Sequence, residues 1–390
     1  MPAQLGSCAG ISRFPPRRPV GGALSPGPFL AARGSGRPRD RPQYPRPDSH
    51  PFPEATVTAD TATSTDTPAD PLISALTARA RAAAHGTPAP CPCATAALAV
   101  RPDATVVRHA GAVAKAHAPD SDPAALTLRV ATATRLPDVL LPPLTPAPAA
   151  LRDPHGRLVT LWPYGVPVDR DDPEAAPWEA VATLLARLHR TPVPAGLPPM
   201  RGPAKAARAL GRLRAALRAT PDGPARPAAG PVLAAGAALP AWARAEAPMP
   251  GPAALCHGDL HLGQLVRHPA PDGPWRLIDV DDLGPGVPAW DLARPAAWYA
   301  CGLLPPGEWT RFLTAYRRAG GPAVPADGDP WPALDVPARA LTVQTAALSI
   351  GKALAAGRPL DEVEQALADA CARMPSAPAH PPGRTPGTPG

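Results

Sequence analysis

Residues 255–266 read LCHGDLHLGQLV, which sets Asp259 and Gln264 between two histidines and apolar neighbours. Fifteen residues after Gln264, the run RLIDVDDLG places Asp279 at the end of an apolar stretch. A loop carboxylate, an amide five residues later and a second carboxylate beyond a β-turn-β distance can converge on one magnesium ion. Hard oxygen donors, few of them from protein, are what magnesium takes when substrate phosphates complete its shell. Asp259 is then left to orient and deprotonate a hydroxyl nucleophile. The competing reading is a metal cage. His257, Asp259 and His261 alternate, so an extended segment would put all three on one face. Gly258 and Gly263 favour a turning loop instead, with His257 packed in support and His261 lining a pocket or solvated. For Asp281 and Asp282 the favoured reading is a capped turn over a second metal contact.

The combined run HGDLHLGQLV…WRLIDVDDLGPGVPAWDLARPAAW resembles the catalytic and metal loops of the aminoglycoside phosphotransferase family, small-molecule kinases of protein-kinase-like fold. The resemblance implies Asp259 as catalytic base, Gln264 and Asp279 as metal ligands, and Asp291 as the buried aspartate bracing the catalytic loop. It further implies ATP and Mg2+, with the γ-phosphoryl group passing to a hydroxyl of a small molecule such as an aminoglycoside, a sugar or another alcohol. Lys115, on the alternating run GAVAKAHAP, falls where the family's phosphate-gripping lysine lies. A compact ammonium suits a polyphosphate, while the plainer reading is a solvated strand lysine. LWPYGVPV fits a hinge where Trp162 and Tyr164 would border the adenine; a Pro-rich connector with no ligand fits equally. Three features depart from the family pattern. Gln264 stands where Asn is usual, no glycine lies between Ala94 and Arg108, and the segment 123–136 offers no glutamate to Lys115. The last two motivate the alternative reading, a degenerate kinase-like binding protein without catalysis.

Positioning these residues requires two lobes, and the chain is patterned for an α+β bilobal protein-kinase-like fold. Residues 1–68 are rich in Pro, Gly, Arg, Ser and Thr without apolar periodicity, the composition of a disordered leader. The tail 375–390 reads the same way. In DPLISALTARARAAAHG, Asp70 is a cap, Pro71 suits the first helical position and Gly86 ends the helix. Short Val and Ala runs over 96–119, broken at Pro102-Asp103 and Ala110-Gly111, predict three antiparallel strands. A helix over 123–136 and strands around a turn at Asp153 to Gly156 complete a β-rich N-lobe at 69–166. From 167 to 374 helices dominate. They are expected at 178–190, around Leu210 to Leu217, and over 232–246, 288–300, 306–319, 334–356 and 360–373. Strand-like pieces interrupt them between Leu255 and Val280.

Composition narrows the partners. The formal charge is +7, yet residues 1–50 hold eight arginines against Asp40 and Asp48, so the body of the chain has no basic footprint. With aromatics at 4%, nucleic acid is excluded as the main partner. No run of about 18 apolar residues predicts a membrane span. The six cysteines are scattered, and Cys91 and Cys93 in PCPC have no second cysteine pair nearby. Free thiols in a reducing cytoplasm, rather than a zinc site, are therefore expected. The 39 Lys and Arg residues include only three lysines, Lys115, Lys205 and Lys352, so each lysine is a marked choice. From Asp282 to Met374, ten acidic residues face eight basic ones, a near balance that suits a neutral alcohol as well as a polycation.

Overall fold

Asp70 caps the first helix of the chain by accepting a hydrogen bond from Leu72 N, and Gly86 closes it at φ +73°. This helix, α1 (Pro71–His85), is the first element in a computed structural model that describes residues 70–374, apart from 88, 152–155 and 170. The leader and tail expected at 1–68 and 375–390, and most of the Asp153 turn, lie outside the described residues.

The three expected strands form as β1 (Thr95–Arg101), β2 (Ala104–His109) and β3 (Ala112–Ala116). After α2 (Pro123–Arg135) come β4 (Ala149–Ala150) and β5 (Leu158–Pro163). They build a five-stranded antiparallel sheet in the order β1-β2-β3-β5-β4. One face meets α1, where Leu76, Val107, Ala114, Ala116 and Val159 are buried together. Because side chains alternate along a strand, Ala114 and Ala116 facing α1 turn Lys115 to the opposite side.

The chain leaves this sheet at Gly165. A Cβ there would stand 2.6 Å from the Val266 side chain and 2.9 Å from Arg267 O, so only glycine lets the backbone pass. It then forms β6 (Val166–Pro167), which pairs with β8 (Leu265–Arg267), itself paired with β9 (Trp275–Leu277). The expected lobe boundary at 166/167 thus falls inside a strand that belongs with the catalytic region. A second tie joins the lobes: Leu141 N donates to Leu277 O at 2.8 Å, and Leu277 N to Val139 O at 2.9 Å.

The helical part contains α3 (Trp178–Arg190), α4 (Gly202–Ala219), α5 (Ala229–Ala237), α6 (Ala293–Cys301), α7 (Pro306–Arg318), α8 (Trp331–Ala356) and α9 (Glu362–Ala372). Leu210 and Leu213 of α4, Val343 and Ile350 of α8, Val232 of α5 and Leu367 of α9 share one core. The helix expected over 232–246 is shorter, because Pro240 ends it and a 3-10 turn at Ala241–Arg244 follows. Two short strands, β7 (Ala254–Cys256) and β10 (Gly284–Gly286), pair antiparallel. The latter, a Gly-Pro-Gly segment, has no strand propensity of its own and is extended by its partner.

Candidate active site

The segment carrying Asp259 leaves β7 at His257 and is held by a buried aspartate. Asp291 accepts hydrogen bonds from His257 N at 2.6 Å and Gly258 N at 2.8 Å. It also sits 3.0 Å from His189 Nε2, whose other ring nitrogen meets Tyr316 OH at 2.7 Å. His257 is fully buried and donates from Nε2 to Ile278 O at 2.8 Å, so it packs against the strand end that carries Asp279. Gly258 adopts φ +84°, and a Cβ there would lie 2.5 Å from Asp282 O. Glycine is thus required both by conformation and by close approach.

Asp259 emerges from this turn into a cationic clasp. Lys205 Nζ of α4 hydrogen-bonds one carboxylate oxygen, and Arg294 Nη2 of α6 reaches the other at 3.3 Å. Partial burial disfavours the carboxylate's charge, but Lys205, Arg294 and His261 outweigh it and hold the group far below the usual carboxylate range. Lys205 also donates to Asp282 Oδ2 at 2.8 Å, and Arg201 Nε to Asp282 Oδ1 at 2.7 Å. Asp282 therefore shares Lys205 with Asp259 and pairs with Arg201 as well.

Asp279 follows β9 with φ +66°, a left-handed conformation that a non-glycine residue seldom takes and that clusters at functional sites. Gln264 is tied to the same strand end, since its backbone carbonyl accepts from Ile278 N at 2.9 Å. Across the lobes, Lys115 Nζ lies 2.7 Å from Asp279 Oδ1 and 3.1 Å from Asp281 Oδ2. Burial opposes the ammonium's charge, yet these two carboxylates overcome it and hold the pKa above its ordinary value. Asp279 and Asp281 are held low by the same cation, against burial and, for Asp279, against each other. Asp281 additionally meets His117 Nδ1 at 3.0 Å. The turn expected at Asp281 exists, with Asp281 N donating to Asp279 Oδ1 at 3.3 Å, but both following carboxylates point at cations rather than merely capping it.

The structure therefore brings Lys115, Asp259, Gln264 and Asp279 to the junction of the two lobes. Trp162 and Tyr164 lie on the hinge side. Trp162 is buried and donates from Nε1 to Thr160 Oγ1 at 2.8 Å. Tyr164 N donates to Gly111 O at 2.8 Å, its carbonyl faces His268 Nδ1 at 3.2 Å, and the Arg108 guanidinium stacks 3.4 Å above its ring. A nucleotide edge at Tyr164 requires one of these bonds to exchange. His257, Asp259 and His261 do not form a metal-ligating group among the described residues.

Lys205, Arg201 and Arg294 were not singled out from the sequence as site residues. The signal for Lys205 was present: in a chain with three lysines, two of them reach site carboxylates.

A family model described as "Phosphotransferase enzyme family" matches residues 104–334, more than half of the chain. The chain belongs to the phosphotransferase enzyme family. Its bilobal arrangement of a sheet-rich lobe and a helical lobe is the fold expected of protein-kinase-like small-molecule kinases. Among solved structures, this phosphotransferase is similar to a choline/ethanolamine kinase family protein from Mesorhizobium loti, at 19% identity and TM-score 0.42, covering 76% of this chain and 91% of that one. Choline kinase from Cryptosporidium parvum matches at 10% identity and TM-score 0.48, covering 72% and 87%. Spectinomycin phosphotransferase in complex with ADP and spectinomycin matches at 12% identity and TM-score 0.44, covering 72% and 86%. Among curated proteins, none matches. Among the described residues, no helix is long and apolar enough to cross a membrane.

Proposed function

We propose that this phosphotransferase moves the γ-phosphoryl group of ATP to a hydroxyl of a small molecule, with Asp259 as the base. The observation that carries this reading is the meeting of Lys115 with Asp279 at 2.7 Å, at the foot of the lobe junction where Asp259 also sits.

Magnesium fits the donors at this place. Asp279 and Gln264 offer oxygen ligands, the Asp279 backbone is committed to a rare conformation, and its Oδ1 already faces a cation. Asp279 and Gln264 would hold the ion, which when bound neutralises charge on the phosphates. The protein's own groups do the rest. Lys115 leaves its carboxylate partners in part to grip phosphate oxygens, and Trp162 and Tyr164 border the base of the nucleotide at the hinge. Asp259 accepts a hydrogen bond from the acceptor hydroxyl and takes its proton as the new O–P bond forms and the bond from the γ-phosphorus to its bridging oxygen breaks, releasing ADP. A carboxylate clasped by Lys205 and Arg294 is a weak base in the resting site. It suits a loose transition state in which the proton leaves late. Asp291 keeps the loop in register.

Retention of the lysine, base and metal-site carboxylates in one connected cluster supports turnover over a degenerate binding role. ADP release across a panel of aminoglycosides, sugars, amino alcohols and nucleosides tests the reading. Turnover with at least one acceptor is expected in the wild type and lost in Asp259→Asn. Equal ATP consumption by both proteins with every accepted substrate would overturn it.

A further inference from the structure

Away from the lobe junction, the far edge of the sheet gathers four metal-ligating side chains. His85 ends α1, Cys91 and Cys93 lie in the PCPC connection, and His109 ends β2. One ligand atom from each can be chosen so that all four lie within 4.8 Å of one another. Cys91 Sγ is 3.5 Å from His85 Nε2 and 3.0 Å from His109 Nε2. The imidazole rings stand edge to face with centroids 5.4 Å apart, unstacked, and each Nε2 lies within 3.5 Å of the Cys91 Sγ. In a tetrahedral zinc site with bonds of about 2.0–2.3 Å, ligand atoms lie about 3.4–3.8 Å apart. The 3.5 Å separation already matches, and the 3.0 Å contact needs to open by about half an ångström.

His109 is also oriented as a metal-binding histidine is. It is fully buried, and its Nδ1 lies 2.7 Å from Thr95 Oγ1, leaving Nε2 turned toward Cys91. A hydrogen bond on one ring nitrogen fixes which nitrogen is free to ligate. The spacing hid this arrangement. The two cysteines lack a second cysteine pair, and their histidine partners come from a helix end before them and a strand end after them.

We propose that His85, Cys91, Cys93 and His109 bind one zinc ion in a structural Cys2His2 site. Both thiols lose their protons to solvent on binding and both imidazoles bind neutral, so two thiolates balance the 2+ charge. All four positions are filled by protein, as in structural rather than catalytic zinc sites. The ion staples the end of α1 to the start of β1 and the end of β2. That edge needs a fastening, since β1 is the outer strand and leaves Leu98 40% and Val100 59% exposed.

The full chain, purified without chelator, is expected to carry about one zinc per molecule by elemental analysis. Zinc-free protein titrated with Co(II) should develop thiolate-to-cobalt absorption and a tetrahedral ligand-field band. The Cys91→Ser/Cys93→Ser variant should lose both signals. That loss also separates this site from the buried trio His189, Cys256 and Asp291, which the variant leaves intact. Thr95→Ala keeps all four ligands and should weaken zinc binding about 10- to 100-fold in competition with a chromogenic chelator. Wild type with neither zinc nor a thiolate–cobalt band overturns the proposal. So does a zinc content unchanged in the double variant, or a Cys91–Cys93 disulfide in the freshly purified protein.

Discussion

Lys115 Nζ on β3 lies 2.7 Å from Asp279 Oδ1, a bond between residues 164 positions apart that joins the sheet lobe to the catalytic region. Asp281 lies beside the same ammonium at 3.1 Å. Lys115→Ala removes the cation and leaves two facing carboxylates partly buried. A stability loss on the order of 3 kcal/mol is expected from breaking such a pair. Mg-ATP is expected to raise the melting temperature of the wild type, and this rise should be lost in the variant. Thermal melts with and without millimolar Mg-ATP check both, and a variant that retains the full nucleotide shift would contradict the assigned role.

Asp259→Asn keeps the side-chain volume but cannot accept a proton. Turnover is expected to fall roughly 10²- to 10⁴-fold, with the KM for ATP little changed and the fold retained at a melting temperature lowered by the lost ion pairs with Lys205 and Arg294. Steady-state kinetics on any accepted alcohol, together with a melt, separate loss of chemistry from loss of fold.

Lys205 pairs with Asp259 and is expected to act on catalysis through it. Without it, Asp259 loses the cation that does most to keep its pKa low, so that value climbs toward the ordinary carboxylate range. In Lys205→Met the acid limb of kcat/KM therefore moves to higher pH than in wild type. A pH–rate profile that only scales down without shifting would assign Lys205 a packing role instead.

Asp291 is 1% exposed and takes hydrogen bonds from two consecutive backbone amides as well as facing His189. Asp291→Ala strands these donors in the interior, at a cost on the order of 3 kcal/mol. Chemical denaturation measures it, and the loop carrying Asp259 should become more accessible to protease before global unfolding.

The site's charges also set its pH window. Asp259, Asp279 and Asp281 have depressed folded-state values, so their contribution is complete above the unfolded-state value of about 3.9 and lost as pH falls through the lower folded values. Lys115 and Lys205 have raised values, so theirs is complete below about 10.4 and lost as pH rises through the folded ones. Melting temperature is expected to be flat with respect to these groups from about pH 5 to 9 and to fall on both sides. Lys115→Ala should alter the acid and alkaline limbs and leave the plateau shape.

Where local rules act alone, the chain was legible from its residues. Asp70, Pro71 and Gly86 delimit α1 by capping and backbone chemistry, and apolar spacing placed α3 over Trp178–Arg190 without any knowledge of neighbours. In the run from His257 to Asp291 the spacing alone put Asp259, Gln264 and Asp279 forward as candidates, and Asp259 and Asp279 each meet a lysine from a distant element. Three things depended on tertiary structure. Gly284–Gly286 is a strand only because β7 pairs with it. Lys205 matters because α4 packs beside the catalytic loop, and a lysine in a helix of arginines says nothing of what it faces. His85 and His109 join Cys91 and Cys93 only when α1 and β2 flank the same loop. Periodicity and capping act between residues a few positions apart. Ion pairs and metal cages form between side chains that the sheet and helices bring together from distant parts of the chain, and their distances are decided by packing.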